Sequence, residues 1–320
     1  MDMRIITHWL RFFPLLLFLA SLTGDGLAAP APLTVAASIL PLGDFCAKIG
    51  GDLVKVQVLI PPGASPHVYE PSAQAVAQAG QARVFVYIGA GLDPWAARLL
   101  QAHPHPERRV VEASAGVALI YDLAHAEEEE EFSLEVGKKK SAPEAHRHVH
   151  VEGNPHIWLD PVLVQDLCRK IAQALSQADP AHGDLYQANL DRYLKELQGL
   201  HQEISRTVAG FRIKEYICFH PAFTYFARRY GLREAGVIEL APGREPSPGH
   251  LQKIIAAIKR TQVKAVFAEP QLSPRIAEVL AREAGVKVLL LDPLGGRPPY
   301  GNDYLQLMRY NLRLMGEALR

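Results

Sequence analysis

Four side chains that favour metal ions occupy positions where a proline or a strand end restricts the backbone. They are His67, His156, His220 and Asp292. The first two each follow a proline directly, and the last two end the apolar runs 216–219 and 288–291. Three imidazoles and one carboxylate complete a tetrahedral zinc site. The pattern therefore predicts a protein that captures a metal ion.

This prediction depends on the combination, because a single histidine after a strand is more often a hydrogen-bonded structural residue than a ligand. His67 and His156 lie in the first half of the chain, and His220 and Asp292 lie in the second. The restricted backbone beside each residue preorganises a ligand. We therefore expect a site shared between two lobes, as a receptor that closes on its ligand requires.

Several neighbours of these four residues have more than one interpretation. Glu269 ends another apolar run, and it is either a fifth ligand or a partner that orients a ligand imidazole or pairs with a nearby arginine. Trp158 is expected in the core beside the site, and Asp160 is expected to cap the helix that follows it. Arg244 and Glu245 form a candidate pair behind the ligands.

Alternating strand and helix patterns must position these side chains. Predicted strands cover 33–38, 53–60, 83–88, 110–111, 216–219, 235–240, 263–268 and 286–291. Predicted helices cover 42–49, 73–78, 94–102, 162–178, 182–208, 222–230, 248–260, 274–284 and 304–319. The order predicts an α/β fold of two lobes, each with a parallel sheet flanked by helices, bridged by one long rigid helix. Ligands of such sheets bind outside the carboxyl ends of the strands, where His220 and Asp292 are expected.

We expect the first lobe at 30–180, the linking helix at 181–210 and the second lobe at 211–320. Residues 123–152 differ in composition from the rest of the first lobe. They hold five consecutive glutamates at 127–131 and the histidines His125, His146, His148 and His150. Too little apolar surface is available there to offset the entropy of ordering, so a mobile loop is predicted. The loop either collects metal weakly and passes it on, or is a solvated spacer.

The N-terminus has the features of an export signal. Arg4 and Arg11 precede a short apolar run, and small residues follow at 26–29, so cleavage is expected near residue 29. An uncleaved membrane anchor is the alternative, whereas a lipid anchor is not expected because the first cysteine is Cys46. The expected mature chain is periplasmic, with no membrane insertion. Its three cysteines are interpreted as buried apolar residues.

Composition and motifs exclude several classes of protein. The 320 residues carry 34 basic and 34 acidic side chains, so no basic excess favours nucleic acid or an anionic membrane. The chain has no His-Glu-x-x-His helix motif, no Gly-x-Ser-x-Gly elbow and no phosphate-binding loop. A zinc hydrolase stays an alternative, because three histidines and a water would form a catalytic site if Asp292 did not bind.

The assembled motifs resemble the cluster A-I, ZnuA/TroA-like family of periplasmic metal-binding proteins of zinc and manganese ABC importers, and most of all its zinc-binding members. The matching segments are 37–42, 61–71, 154–161, 219–223, 229–232, 268–271 and 291–295. The resemblance implies two lobes joined by a rigid helix, with metal ligands at His67, His156, His220 and Asp292. It also implies delivery to a permease with a cytoplasmic ATPase, by a monomeric receptor.

Zinc is the expected transported ion. Imidazole suits zinc, whereas manganese favours carboxylate and water oxygens, and raw affinity also favours zinc. Members of the family that prefer manganese often have glutamate where His220 stands. A manganese or iron receptor of the same type is one alternative, and an exported adhesion or metal-buffer protein is another.

Overall fold

Apolar strand sequences that are buried on both faces favour parallel sheets covered by helices, and the chain forms two of them. The computed structural model describes residues 31–121, 153–239 and 246–320. The predicted signal segment, the whole 123–152 loop and the Arg244–Glu245 pair lie outside the described residues. Two four-stranded parallel sheets flanked by helices confirm the predicted fold class.

The first sheet has the strand order β2-β1-β3-β4. Its strands are β1 (Leu33–Ala37), β2 (Val54–Val58), β3 (Val84–Tyr87) and β4 (Arg109–Glu112). The helices of this half are α1 (Leu40–Gly50), α2 (Ala73–Ala79), α3 (Trp95–Ala102) and α4 (Pro161–Ala178). Helix α4 begins as predicted, because the Asp160 carboxylate accepts a hydrogen bond from the amide of Val162.

The second sheet repeats this arrangement in the order β6-β5-β7-β8. Its strands are β5 (Glu215–Cys218), β6 (Arg233–Val237), β7 (Ala265–Ala268) and β8 (Lys287–Leu290). Helix α5 (Gly183–Ala209) precedes this sheet, and α6 (Thr224–Tyr230), α7 (Pro248–Thr261), α8 (Arg275–Ala284) and α9 (Tyr304–Leu319) flank it. The predicted helix at 222–230 starts as a 3₁₀ turn at Pro221–Phe223 and becomes α-helical only at Thr224.

Helix α5 contacts both halves of the molecule. Its 27 residues reach about 40 Å at 1.5 Å per residue. It packs against α1 and α4 on one side and against α6 and α9 on the other. Its buried positions recur with the period of one helical face: Tyr186, Leu190, Tyr193, Leu197, Leu200, Ile204 and Val208. The long helix therefore stabilises both sheets.

Further contacts join the two halves directly, and residues 32–320 form one compact unit. Lys48 of α1 forms an ion pair with Asp303 at 2.9 Å, and Asp44 accepts a hydrogen bond from the amide of Tyr304 at 3.1 Å. The hydroxyl of Tyr304 donates to the carbonyl of Trp158 at 2.7 Å. These bonds hold the start of α9 against the first half.

The three cysteines Cys46, Cys168 and Cys218 are free and buried, as predicted. Within the described ranges, no helix is long and apolar enough to cross a bilayer.

Candidate metal centre

His67 lies in the loop between β2 and α2, and local hydrogen bonds fix this loop. The amide of Ala64 donates to the carbonyl of Pro61, and the amides of Val68 and Tyr69 donate to the carbonyl of Ser65. Gly63 has a φ of +83°, a conformation that a residue with a Cβ rarely adopts. The His67 side chain is therefore presented by a turn whose shape is set by its own sequence.

His156 lies at the start of a 3₁₀ turn and is only 2 % exposed. The side-chain oxygen of Asn154 accepts hydrogen bonds from the backbone amide of His156 at 3.0 Å and from its Nδ1 at 2.9 Å. Because Nδ1 is the donor, the lone pair of the neutral ring is on Nε2. Trp158, fully buried as predicted, packs beside the ring with the centroids 5.1 Å apart.

His220 follows β5 after one residue and is 4 % exposed. Its Nδ1 donates to the carboxylate of Glu269 at 2.9 Å. Glu269 follows β7 directly and is also buried, so it takes the orienting role predicted as one of its alternatives. Burial acts to lower the pKa of His220, but the charge and hydrogen bond of Glu269, with smaller contributions from the charges of Glu239 and Glu234, outweigh burial and raise the pKa above its ordinary value.

The three histidines meet between the two sheets, and their nearest ring nitrogens all lie within 4.8 Å of one another. The Nε2 atoms of His67 and His156 are 3.1 Å apart. Two nitrogens at 2.0–2.1 Å from one tetrahedral zinc ion would be about 3.3 Å apart, so this pair needs little rearrangement to bind one ion. Within the part of the chain that the structure describes, Nε2 of His220 is buried without a hydrogen-bond partner.

A cavity of about 10 Å³ lies beside the three rings. Besides the histidines, its wall contains Ser65, Pro66, Trp158, Glu269, Gln271, Leu272, Pro293 and Leu294. This volume accommodates about one water-sized probe. The site therefore has room for a single small ion and not for an organic ligand.

Asp292 follows β8 after one residue but is not part of the group of ligand atoms that lie within 4.8 Å, as judged over the described residues. It is completely buried. One carboxylate oxygen, Oδ1, accepts from Gln271 at 2.8 Å and from the amides of Leu294 and Gly295 at 2.9 and 3.1 Å. The other oxygen, Oδ2, accepts from the Tyr300 hydroxyl at 2.6 Å. The carboxylate thus lies directly behind the cavity wall, and its ligand role stays a prediction.

Sequence analysis missed three residues that hold the centre together. Asn154 orients His156, whereas Gln271 and Tyr300 hold the Asp292 carboxylate. For Asn154 the sequence contains a usable signal, since an asparagine side chain readily bonds the backbone amide two residues later. Gln271 and Tyr300 approach Asp292 through the tertiary fold, and no local pattern indicates them.

Two parallel α/β halves spanned by one helix, with a group of three converging histidines between the sheets, define a two-lobed binding protein with a candidate metal centre. The chain belongs to the family described as "Zinc-uptake complex component A periplasmic", whose sequence model matches residues 35–318.

Curated relatives agree with this assignment. The chain is 31% identical over 291 residues to the high-affinity zinc uptake system protein ZnuA of Bacillus subtilis, covering 90% of this chain and 88% of that protein. It is 30% identical over 294 residues to the zinc-binding lipoprotein AdcA of Streptococcus pneumoniae, covering 91% of this chain. Here the chain spans only 56% of the relative, about half of its length.

Solved structures share the same fold. A crystal structure of ZnuA has a TM-score of 0.75 at 32% identity, covering 90% of this chain and 99% of that chain. The Zn(II)-bound ZnuA-like domain of Streptococcus pneumoniae AdcA has a TM-score of 0.70 at 27% identity, covering 90% and 99%. The laminin-binding protein Lmb of Streptococcus agalactiae, described as having adhesin and metal-transporting activity, has a TM-score of 0.74 at 31% identity, covering 90% and 100%.

Proposed function

We propose that this chain is a periplasmic receptor that captures Zn²⁺ at His67, His156 and His220 and delivers it to an ABC importer. The observation that carries this proposal is the convergence of three imidazoles from both halves of the chain, with their nearest nitrogens within 4.8 Å. The loop that carries His67 is fixed by its own hydrogen bonds, and Asn154 and Glu269 orient the rings of His156 and His220. A centre that spans two halves can release its ion when they separate, which a structural metal site within one segment cannot do.

Zinc fits the donor set better than manganese does. Imidazole nitrogen is a preferred zinc ligand, whereas manganese prefers a larger share of carboxylate and water oxygen. The names of ZnuA from Bacillus subtilis and AdcA from Streptococcus pneumoniae also refer to zinc. A manganese or iron receptor of the same architecture is the alternative that a metal competition experiment separates.

Asp292 is proposed as the fourth contributor to the centre. Its Oδ1 accepts three hydrogen bonds and its Oδ2 accepts one, from Tyr300. Oδ2 therefore retains more capacity to accept, and it is the atom proposed to reach the ion directly or through one water. In either arrangement the buried negative charge offsets part of the charge of the bound cation.

A transport role is proposed in preference to catalysis. A cavity of about 10 Å³ beside the histidines leaves no room for an ester, phosphate or peptide substrate next to a bound ion. The proposed partner is a permease with a cytoplasmic ATPase, which the monomeric receptor approaches from the periplasm. Importer-dependent zinc uptake that persists at low zinc without this chain would contradict this assignment.

The metal assignment is tested by titrating the purified chain with Zn²⁺ and Mn²⁺ in competition with chromophoric chelators. We expect His67→Ala, His156→Ala and His220→Ala each to weaken zinc binding by more than about 100-fold, beyond the 10–100-fold typical of a residue behind a ligand. The control is His201→Ala on α5, because His201 bonds Tyr230 at 3.1 Å and is not a proposed ligand. Manganese that displaces zinc at comparable free concentrations would overturn the choice of metal.

A further inference from the structure

Asn154 uses all of its polar groups to connect the two halves of the candidate metal centre. Its side-chain oxygen accepts from the backbone amide and from Nδ1 of His156, at 3.0 and 2.9 Å. Its side-chain nitrogen donates to the carbonyl of Pro221 at 2.9 Å and to the Thr224 hydroxyl at 3.2 Å. Pro221 directly follows His220. The side-chain amide of Asn154 therefore contacts the proposed ligand His156 and also Pro221, the residue next to the proposed ligand His220.

The backbone of Asn154 strengthens the same connection. Its carbonyl accepts a hydrogen bond from the hydroxyl of Tyr225 at 2.7 Å, and its amide donates to the carbonyl of Ile120 at 2.8 Å. The Tyr225 hydroxyl in turn accepts from the amide of Ile120 at 3.1 Å. Asn154 is thus bonded on both sides to residues distant in sequence, at a position that is 7 % exposed.

These bonds determine the orientation of the amide. A rotated amide would direct its NH₂ group at the backbone amide of His156 and its oxygen at the carbonyl of Pro221. These two contacts therefore select one orientation. In that orientation Nδ1 of His156 must carry a proton, which leaves the Nε2 lone pair facing His67 at 3.1 Å.

We propose that Asn154 is a positioning residue that couples the two halves of the metal centre, by fixing the ring of His156 with its oxygen and the segment after His220 with its nitrogen. This inference rests on the proposed zinc-binding function. It predicts that the oxygen and the NH₂ group of the Asn154 amide contribute separately to zinc affinity. Removing only the NH₂ group weakens zinc binding through His220, and removing both groups weakens it further.

Two substitutions distinguish the contribution of the Asn154 oxygen from that of its NH₂ group. Asn154→Asp retains an acceptor for both donors of His156 but loses the NH₂ that bonds Pro221, whereas Asn154→Ala loses both functions. We expect a zinc affinity loss of about 10–100-fold for Asn154→Ala, the range typical of a partner behind a ligand, and a smaller loss for Asn154→Asp. The control is Asn189→Asp, which removes an amide donor from the carbonyl of Ile49 at 2.9 Å on the long helix.

The decisive measurement repeats Asn154→Ala, which adds no charge beside the ion, in a His156→Ala background, with zinc affinity measured by chelator competition. If Asn154 couples the two halves, its substitution still weakens binding when His156 is absent, because the contact with Pro221 is lost there too. An unchanged affinity in that background would confine Asn154 to His156 and overturn the inference. An unsubstituted chain that binds no zinc would instead overturn the proposed function. The absorption spectrum of bound Co²⁺ reports whether each variant keeps tetrahedral coordination, so a variant that merely misfolds is recognised.

Discussion

Glu269 accepts a hydrogen bond from Nδ1 of His220 at 2.9 Å, and both side chains are nearly completely buried. Burial acts to lower the pKa of His220, but Glu269, together with the smaller contributions of Glu239 and Glu234, outweighs burial, so the net shift is upward from the ordinary value of 6.5. Zinc must displace the proton from a protonated imidazole. In the metal-free chain a protonated His220 is therefore present at a higher pH than for an ordinary histidine.

Zinc affinity is consequently expected to fall with decreasing pH, starting above about pH 6.5. In Glu269→Gln the carboxylate that contributes most to stabilising the protonated ring is gone, and the pKa of His220 falls because burial is then opposed only by the charges of Glu239 and Glu234. The fall should start at a lower pH in this variant, although affinity at pH 8 should also drop because the ring is held less firmly. Chelator competition from pH 5.5 to 8.5 measures both effects. Glu203→Gln, whose carboxylate pairs with Arg309, is the control, and an unchanged onset in Glu269→Gln would contradict this account.

Asp292→Asn tests the carboxylate behind the cavity wall. The amide oxygen can still accept from the backbone amides of Leu294 and Gly295, so the loop should keep its shape. The negative charge is lost, and we expect zinc affinity to fall by about 10-fold or more. Thermal unfolding of the metal-free variant close to that of the unsubstituted chain would show that the loop is intact. Unchanged zinc affinity together with intact folding would remove Asp292 from the centre.

Deleting residues 127–150 should weaken zinc binding far less than His220→Ala does. The three histidines that converge at the centre all lie outside this segment. The segment is expected to affect how fast zinc is collected at low concentration more than how tightly it is held. Equilibrium competition measures the affinity, and stopped-flow mixing with a zinc-responsive dye measures the rate. Equal losses of affinity in the two variants would place the deleted histidines in the high-affinity centre.

Gly296 allows the second half to approach the loop that carries His67. A Cβ at this position would lie 2.7 Å from a methyl carbon of Leu40 and 2.7 Å from the Cβ of Pro62. Gly296→Ala should therefore separate the halves, lower zinc affinity, and cost about 1–3 kcal/mol of stability. Gly301→Ala is the matched control. It also has a positive φ, of +55°, but among the described residues nothing lies within 4 Å of an added Cβ. Affinity losses of equal size would show that backbone strain, and not the contact, is responsible.

Asp44→Asn should stabilise the metal-free chain at neutral pH. Burial raises the pKa of Asp44 from 3.8 to about 6, against the hydrogen bond from the Tyr304 amide and the charge of Lys48. The pKa of Asp44 is higher in the folded chain than in the unfolded chain. The free energy of unfolding is therefore greatest when Asp44 is protonated in both states, and it decreases as pH rises from about 4 to about 6. We expect a gain of about 1–3 kcal/mol at pH 7.5 and almost none at pH 4. Denaturant unfolding with chelator present measures it. A loss at pH 7.5 would mean that attraction to Lys48 exceeds the cost of burial.

Local signals explain which features could be predicted from sequence. The features that restrict the four residues are local, since a proline precedes His67 and His156 and a strand end precedes His220 and Asp292. The sequence therefore identified three histidines that converge. The cap at Asp160 was found in the same way. Strand and helix bounds differ from prediction by at most three residues, because the ends of elements depend on tertiary contacts.

Contacts between distant segments could not be predicted in this way. The hydrogen bonds from Asn154 to Pro221 and from Tyr300 to Asp292 depend on how the two sheets face each other. The spacing of apolar residues determines which face of a helix or strand is buried. It does not determine which polar group of a distant segment contacts that face. The lobe bounds at 180 and 210 stay predictions for the same reason, since the two halves pack as one unit.

The cavity of about 10 Å³ beside the histidines has a consequence for which ions suit the centre. The space holds about one water, so an ion bound to these rings keeps little of its hydration shell. Mg²⁺ loses its water reluctantly and is usually bound with several waters retained. We therefore expect the walls formed by Trp158, Pro293 and Leu294 to disfavour an abundant ion of this kind relative to ions that shed water readily.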